Sequence, residues 1–275
     1  MSRRLAALCL SIGLLSCAVV ALWWWQASPA PPEDAVAELP VPPFPPRITE
    51  GKDYEACLAT LADDPAGALA TADSWLAKGG GDGAAHCQGL ALIGTGKPEA
   101  GAAVLEHVAE TGKVPPMARA LLLSQAGQAR LMVAQPAKAL ADASTALALS
   151  PADADLFIMR ATAEGMLDRY RDAITDLSDA LRLDAPRADA LVARAVMYRK
   201  LNELALAQVD VGRVLSQDPD NADALLERGI LRQRLGDEAG AQSDWQHARD
   251  VDPNSTTADL AEQNLSLLEA GPERR

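Results

Sequence analysis

Aromatic residues are scarce in this chain. Phenylalanine, tyrosine and tryptophan make up 4% of its 275 residues, and three of the five tryptophans stand side by side at positions 23–25. The hydrophobic share is nevertheless 49%, and it consists largely of alanine and leucine. These two residues favour helices, whereas β-sheets draw on aromatic and β-branched residues. The composition therefore predicts an all-α fold.

Side chains that could carry chemistry are also few. The three histidines, His86, His107 and His247, are scattered, and no closely spaced cysteine pair occurs. The segment GTGK at residues 94–97 lacks the first part of a phosphate-binding loop. We therefore predict that the protein is not an enzyme and that it uses no cofactor and no metal.

Positive charge is in short supply. After position 32 the chain carries 23 of its 25 basic residues and all 38 acidic residues, which gives this part a net charge of −15. Such a surface is repelled by a phosphate backbone. We therefore predict that the partner is not a nucleic acid.

Repetition, by contrast, is abundant between Ala120 and Pro253, where one pattern returns every 34 residues. Four blocks end alike, at Pro151, Pro186, Pro219 and Pro253. Two columns of small residues recur at the same spacing: Gly127, Ala161, Ala195 and Gly229, and then Ala139, Ala173, Ala207 and Ala241. Small residues at fixed points allow paired helices to approach closely.

This pattern resembles the tetratricopeptide repeat family, in which a helix, a turn and a helix form each unit of about 34 residues. The resemblance implies a right-handed α-solenoid, in which each unit buries its apolar face against its neighbours. We assign residues 51–116 to two degenerate units, residues 117–253 to four clear units, and residues 254–275 to a capping helix and tail. Within the clear units the first helices are predicted to begin near Ala120, Asp153, Arg187 and Asn221.

Further columns are expected to fill the core. These are Leu123, Phe157, Leu191 and Leu225 in the first helices, Val133, Leu167, Leu201 and Leu235 near the ends of those helices, and Ala143, Leu177, Val211 and Trp245 in the second helices. In the capping helix, Leu260, Leu267 and Leu268 are expected on the apolar stripe.

The amino terminus predicts a membrane segment. After residues 1–4, which include Arg3 and Arg4, residues 5–25 contain no charge, and 21 helical residues span a bilayer core. The arginines favour a cytoplasmic amino end, which places the repeats outside the cytoplasm, in the periplasm of a bacterial cell with a single-pass anchor in its inner membrane. Two alternatives remain open: cleavage as a signal sequence, or lipidation at Cys17 in a lipoprotein-like motif.

A proline-rich linker is expected at residues 26–50, because residues 29–46 are too rich in proline for helix. The repeats that follow contain Cys57 and Cys87, which fall near the middle of the first helices of successive units. Such helices lie side by side in a solenoid of this family, so an oxidising compartment predicts a disulfide. The alternative is a pair of buried thiols.

Two charged columns also repeat once per unit. One comprises Asp142, Asp176, Asp210 and Asp244, and the other comprises Arg160, Arg194 and Arg228. We interpret them as structural ion pairs, an Arg–Asp ladder within or between units. Catalysis is a poor explanation, because the repeat keeps the aspartates about one unit apart.

The family resemblance also implies a concave groove, lined by the first helices, that holds a segment of another protein. The residues expected there are Ser124, Gln128, Leu131, Met132, Ile158, Thr162, Met166, Val192, Val196, Arg199, Leu226, Ile230 and Gln233. Their mostly apolar character suits an apolar peptide or amphipathic helix. Asp155, Asp189 and Asp223 stand near the groove entrance, where chaperone-binding members of the family place carboxylate-binding lysines and asparagines.

The sequence thus predicts a membrane-tethered, non-enzymatic adaptor that binds a protein partner outside the cytoplasm, in envelope assembly or protein maturation. One alternative is a structural subunit of a larger membrane complex that leaves the groove unused. A second is an apoprotein chaperone of the cytochrome c maturation type, where anchored tetratricopeptide proteins occur.

Overall fold

The computed structural model describes residues 47–270 and contains thirteen α-helices and no β-strand in that range. The helices are α1 Lys52–Asp63, α2 Pro65–Ala77, α3 Gly81–Gly94, α4 Pro98–Thr111, α5 Pro116–Met132, α6 Pro136–Leu149, α7 Ala154–Met166, α8 Tyr170–Leu183, α9 Ala188–Lys200, α10 Leu204–Gln217, α11 Ala222–Arg234, α12 Glu238–Val251 and α13 Thr256–Glu269.

Each helix packs mainly against the helices before and after it in the chain. Odd-numbered helices up to α11 are the first helices of six helix pairs, and even-numbered helices are the second helices. Neighbouring first helices also touch: α5 contacts α7, and α9 contacts α11. Contacts therefore run from unit to unit along the stack, as expected for a helical repeat protein.

Proline and capping side chains determine where several helices begin. Pro65, Pro98 and Pro136 occupy the first turn of their helices, where the missing N–H removes no helical hydrogen bond. Asp64 caps α2 by accepting a hydrogen bond from the backbone N–H of Gly67 at 2.8 Å. The breaks between helices are thus encoded locally.

The turn inside each clear unit needs one residue with a left-handed backbone. Ala134, Asp168, Asn202 and Gly236 occupy the equivalent position of the four units, and their φ angles are 52°, 59°, 61° and 86°. Only glycine adopts this conformation without steric cost. The repeat geometry therefore imposes the same backbone turn on four different residue types.

The two small columns are confirmed as contact points between helices. All four alanines of the second column are fully buried. A Cβ added to Gly229 would overlap Nε1 of Trp245, which is itself fully buried. Only glycine lets α11 approach the tryptophan of α12 this closely.

Three details of the predicted helices were wrong. Helix α5 begins at Pro116, before the expected Ala120, because a proline at its first position starts the helix earlier. The column from Val133 to Leu235 lies at the C-caps of the first helices and is only partly buried; Leu235, in the last unit, is 54% exposed.

The third correction concerns α13. Leu260 and Leu267 are 45% and 43% exposed, whereas Ala258, Ala261 and Leu265 face the preceding unit. The buried stripe is set by small residues, because they allow α13 to lie close to α11 and α12.

The predicted membrane segment at residues 5–25, Cys17, most of the proline-rich linker and the last five residues lie outside the described residues. None of the helices in residues 47–270 has the length and apolar character needed to cross a bilayer.

Candidate partner-binding groove

The residues expected to line a groove lie on the first helices α5, α7, α9 and α11. On each helix they recur every three or four residues, with Leu131 and Met132 adjacent at the end of α5, so they occupy one face. Equivalent positions recur once per unit, as do Gln128, Thr162, Val196 and Ile230. Since neighbouring first helices touch, these faces form one continuous row.

The row is accessible to different degrees along its length. Met132 and Met166 are 66% and 45% exposed, and Gln128 and Thr162 are also exposed. The others are partly buried, and they are Ser124, Leu131, Ile158, Val192, Val196, Arg199, Leu226, Ile230 and Gln233. Five of the apolar ones pack against the core with part of their surface, and they are Leu131, Ile158, Val192, Leu226 and Ile230. The row thus consists of a partly buried apolar floor with two flexible methionines standing above it.

Arg199 has a structural role that the sequence pattern did not indicate. Its Nε donates to Oε1 of Glu227 at 2.5 Å, which connects α9 to α11. Glu227 is 3% exposed, and this burial raises the pKa of its carboxyl despite the nearby guanidinium. Arg199 is therefore held by Glu227 and is not a free cation in the groove.

The acidic residues near the groove entrance are likewise paired. Arg187 donates to Asp155 at 2.5 Å and to Asp189 at 2.6 Å, and this pairing holds the pKa of Asp189 below its usual range. Asp223 accepts a hydrogen bond from the Thr257 hydroxyl at 2.5 Å. At the opposite ends of the same helices Lys200 and Arg234 are exposed. In the last two units the apolar floor therefore lies between an acidic margin, formed by Asp189 and Asp223, and a basic margin, formed by Lys200 and Arg234.

Three Arg–Asp pairs form within units, between the first and the second helix. Arg160 binds Asp176 at 2.6 and 2.7 Å, Arg194 binds Asp210 at 2.7 and 2.8 Å, and Arg228 binds Asp244 at 2.9 and 2.7 Å. Each guanidinium uses Nε and Nη2 to contact both carboxylate oxygens, and the three aspartates are buried. This bidentate geometry fixes the angle between the two helices.

Asp142 does not belong to this ladder. The residue sixteen positions earlier, where the other units have arginine, is Ala126. Asp142 is 8% exposed, and its Oδ2 has no hydrogen-bond partner among residues 47–270. The expectation of a structural ion pair at Asp142 was wrong because this unit has the acid of the repeat but not the base.

The degenerate units are joined by other means. Cys57 of α1 and Cys87 of α3 form a disulfide, with their Cα atoms 6.3 Å apart. This is compatible with the predicted pair. Beside it, His86 contacts the Tyr54 hydroxyl at 2.7 Å through Nδ1 and Oε1 of Gln125 at 2.8 Å through Nε2. Burial lowers the pKa of His86, so the ring is neutral at physiological pH.

Sequence reasoning missed two further buried charges. Arg130 of α5 is 3% exposed and binds Glu106 of α4 through two hydrogen bonds of 2.7 and 2.8 Å. Glu164 of α7 is 8% exposed, and its Oε2 has no partner among the described residues. The two residues occupy one column of the repeat, which reads Arg130, Glu164, Tyr198 and Arg232, so the sign of the charge changes along it and no constant residue marks it.

Comparisons with known proteins relate the chain to tetratricopeptide repeat structures. No protein-family model matches the sequence, and no curated protein is similar to it in a sequence search. Among solved structures it is similar to TTC0263, a tetratricopeptide protein of Thermus thermophilus, at 20% identity and a TM-score of 0.55 over 68% of this chain and 98% of that one.

Two other structures are comparable in shape. MamA from Desulfovibrio magneticus RS-1 matches at 17% identity and a TM-score of 0.56, over 63% of this chain and 99% of that one. A chain of the Cut9–Hcn1 hetero-tetramer of the APC/C matches at 15% identity and a TM-score of 0.59. That match covers 78% of this chain but only 42% of the Cut9–Hcn1 chain. At these identities the likeness shows the fold alone: the described residues have the helical repeat fold of tetratricopeptide proteins.

Proposed function

We propose that this protein is a membrane-tethered, non-enzymatic adaptor whose first helices bind an apolar segment of a partner protein. The observation that carries the proposal is the row of accessible side chains on α5, α7, α9 and α11, in which Met132 and Met166 are the most exposed apolar residues. Methionine adapts its shape to different apolar ligands. An extended peptide or one face of a helix can lie along such a row.

The charges beside the row define the partner further. In the last two units the apolar floor lies between the acidic margin and the exposed Lys200 and Arg234. The aspartates of the acidic margin already accept hydrogen bonds from Arg187 and Thr257, so the two exposed cations are the stronger determinants. We therefore infer an apolar segment that carries acidic residues on the side facing Lys200 and Arg234.

The proposed location is the periplasmic side of the inner membrane, with the chain held by residues 5–25. The arginine-flanked apolar run supports the anchor. The Cys57–Cys87 pair supports an oxidising compartment, because structural disulfides are rare in the cytosol. Alkylation of intact cells with a thiol-specific polymer reagent tests this: both cysteines should remain unmodified until a reductant is added.

A structural subunit is the alternative that one observation favours. Leu206 and Val209 on the second helix α10 are 47% and 60% exposed, and they provide an apolar patch away from the first helices. A complex that used this patch would leave the groove empty. The patch also supplies a matched control for tests of the groove.

The test compares two double variants of the full chain in affinity capture from cells. Met132→Glu with Met166→Glu alters the groove, and Leu206→Glu with Val209→Glu makes the same kind of change on α10. All four positions are exposed, so both proteins should retain their helical circular-dichroism spectrum. We expect a partner that is captured by the wild type and the α10 variant but lost from the groove variant. A partner lost only from the α10 variant would support the structural-subunit function instead.

A further inference from the structure

Asp142 lacks the guanidinium that pairs with the equivalent aspartate in three other units. Asp176, Asp210 and Asp244 each bind the arginine sixteen residues earlier through both carboxylate oxygens. Asp142 has Ala126 at that position and no partner for its buried Oδ2 among residues 47–270. An unpaired buried carboxylate is costly, and a cation supplied from outside the described chain would relieve that cost.

A cavity of about 450 Å³ lies beside this carboxylate. It is bounded by the second helices α4 and α6 and by α5 between them, and Asp142, Glu106 and Glu110 line it. None of its lining residues belongs to the groove. Leu123 forms part of the wall, at the position where Phe157 lies 5.5 Å beneath the guanidinium of Arg160 in the next unit. The cavity thus offers a carboxylate and an apolar wall in the same relative places as an occupied pair.

The cations nearest the cavity do not neutralise Asp142. Lys138 lines the cavity one helical turn before it on α6, yet forms no ion pair with it among the described residues, and Arg130 is engaged by Glu106. Arg119 of α5, also in the lining, has a buried Nε–H without an acceptor in the same range. A ligand suited to this cavity therefore brings both a cation for Asp142 and an acceptor for Arg119.

We propose that the cavity binds an arginine side chain of a partner peptide, whose guanidinium pairs with Asp142 in place of the missing ladder arginine. A peptide supplies both groups, because a backbone carbonyl beside the arginine can accept from Arg119. The planar guanidinium fits better than an ammonium, since it can lie flat against an apolar wall while it pairs with the carboxylate. No groove residue lines this site, so it does not depend on the proposed function of the groove.

The protonation of Asp142 agrees with this assignment. Burial, followed by the charge of Glu106, raises the pKa of Asp142 from 3.8 to about 7. A bound guanidinium favours the ionised form and lowers this pKa. The other charged groups around the site are Glu106 and Glu110 on α4, Arg119 and Arg130 on α5, and Lys138 on α6. Binding should therefore strengthen as the pH rises through about 7.

The experiment measures binding of two short peptides to the full chain in mild detergent. The probe is acetyl-Gly-Arg-Gly-amide, and its control has citrulline, which keeps the shape but lacks the charge. Titration calorimetry and the ¹³C resonance of the Asp142 carboxyl, observed in protein labelled at aspartate, report binding. We expect the arginine peptide to bind at least about tenfold more tightly than the citrulline peptide and to lower the pKa of Asp142.

Two variants test the geometry. Ala126→Arg should supply the missing guanidinium from within the chain and abolish peptide binding, while raising the melting temperature. Asp142→Asn should weaken binding of the arginine peptide at least about tenfold, whereas Glu238→Gln, on the exposed start of α12, should leave it unchanged. If Ala126→Arg loses helicity, Asp142→Asn decides the question. Equal binding of both peptides, no binding of either, or unchanged binding by Asp142→Asn overturns the proposal.

Discussion

The two degenerate units and the last three units hold neighbouring helices together by different chemistry. In the last three, each unit repeats one buried Arg–Asp pair between its first and second helix. In the first two, no such pair is present among the described residues, and a covalent bond links α1 to α3 beside the contact of Tyr54 with His86. The ladder fixes geometry inside a unit, whereas the disulfide fixes one unit to the next.

The difference separates the contacts that all units of the repeat share from the bonds that vary between units. Small residues at the helix contacts persist where the charged columns fail: Gly89 and Gly101, facing each other in α3 and α4, have no room for a Cβ. Close approach is therefore common to the whole stack, and the bonds that lock it vary. The unit that contains Asp142 has the aspartate of the ladder but not the arginine, and it lies between the disulfide-linked units and the units with Arg–Asp pairs.

The largest expected effect comes from removing one partner of a ladder pair. Arg194→Ala leaves Asp210, 2% exposed, as an unpaired buried charge, which should destabilise by about 3–5 kcal/mol. Urea denaturation followed by circular dichroism measures it. The control is Arg182→Ala, whose pair with Asp179 is on the surface and should matter by less than about 1 kcal/mol. Similar losses in both variants would mean that the ladder contributes no more than surface pairs.

Removal of the disulfide should produce a somewhat smaller and more local effect. Closing a loop between residues 30 positions apart stabilises by roughly 3 to 4 kcal/mol on the chain-entropy model. We expect the double variant Cys57→Ser with Cys87→Ser to lose hydrogen-exchange protection in α1 to α4 and to retain it in α9 to α12. Uniform loss along the stack would contradict the division into two regions.

A single methyl group tests the close contact shared by all units. Gly229→Ala places a Cβ against the buried Trp245 and should destabilise by about 1–3 kcal/mol. Gly212→Ala, in α10, is the matched control: no atom lies within 4 Å of the added Cβ, so helix propensity alone should stabilise by up to about 1 kcal/mol. Opposite signs of the two changes in melting temperature are the expected result.

The smallest effect concerns pH. Burial is the main cause that raises the pKa of Asp142 from 3.8, and that of Glu164 from 4.5, to about 7 in each case. The folded protein therefore binds these protons more tightly than the unfolded chain, and stability from these groups falls as the pH rises from about 4 to about 7. His86, with its lowered pKa, acts in the opposite direction below its unfolded value of 6.5.

Variants separate these opposing contributions. Replacing Asp142 with asparagine and Glu164 with glutamine should remove the destabilisation that these two groups cause between about pH 5.5 and about pH 8, leaving the trend due to His86. Melting temperatures of both proteins at the two pH values measure it. An unchanged pH dependence in the double variant would show that neither carboxyl titrates in this range.

Periodicity made the helical repeat fold predictable, because Gly127, Ala161 and Ala195 mark the same helix contact in successive units. The ladder was predictable for the same reason, since both of its columns recur. The unpaired state of Asp142 was also present in the sequence, as the alanine at position 126. The acidic column is continuous over four units, whereas the basic column is present in three.

Contacts that occur once could not be predicted in this way. Glu227 binds Arg199, but the equivalent positions in the two preceding units are Met159 and Ala193, so no pattern marks an acid there. The pairing of Arg130 with Glu106 joins two helices whose relative placement no spacing defines. Within the groove the expected positions followed from helical periodicity, whereas their exposure depended on how closely the first helices pack.

The proposed adaptor binds its groove partner through the first helices, and not through the apolar patch on α10. Site-specific photo-cross-linking in living cells tests it, with a benzophenone amino acid placed at Thr162 on α7 or at Val209 on α10, both exposed. We expect a protein adduct at Thr162 that disappears when Met132 and Met166 are changed to glutamate, and none of that protein at Val209. The same adduct at Val209, with none at Thr162, would contradict binding through the first helices.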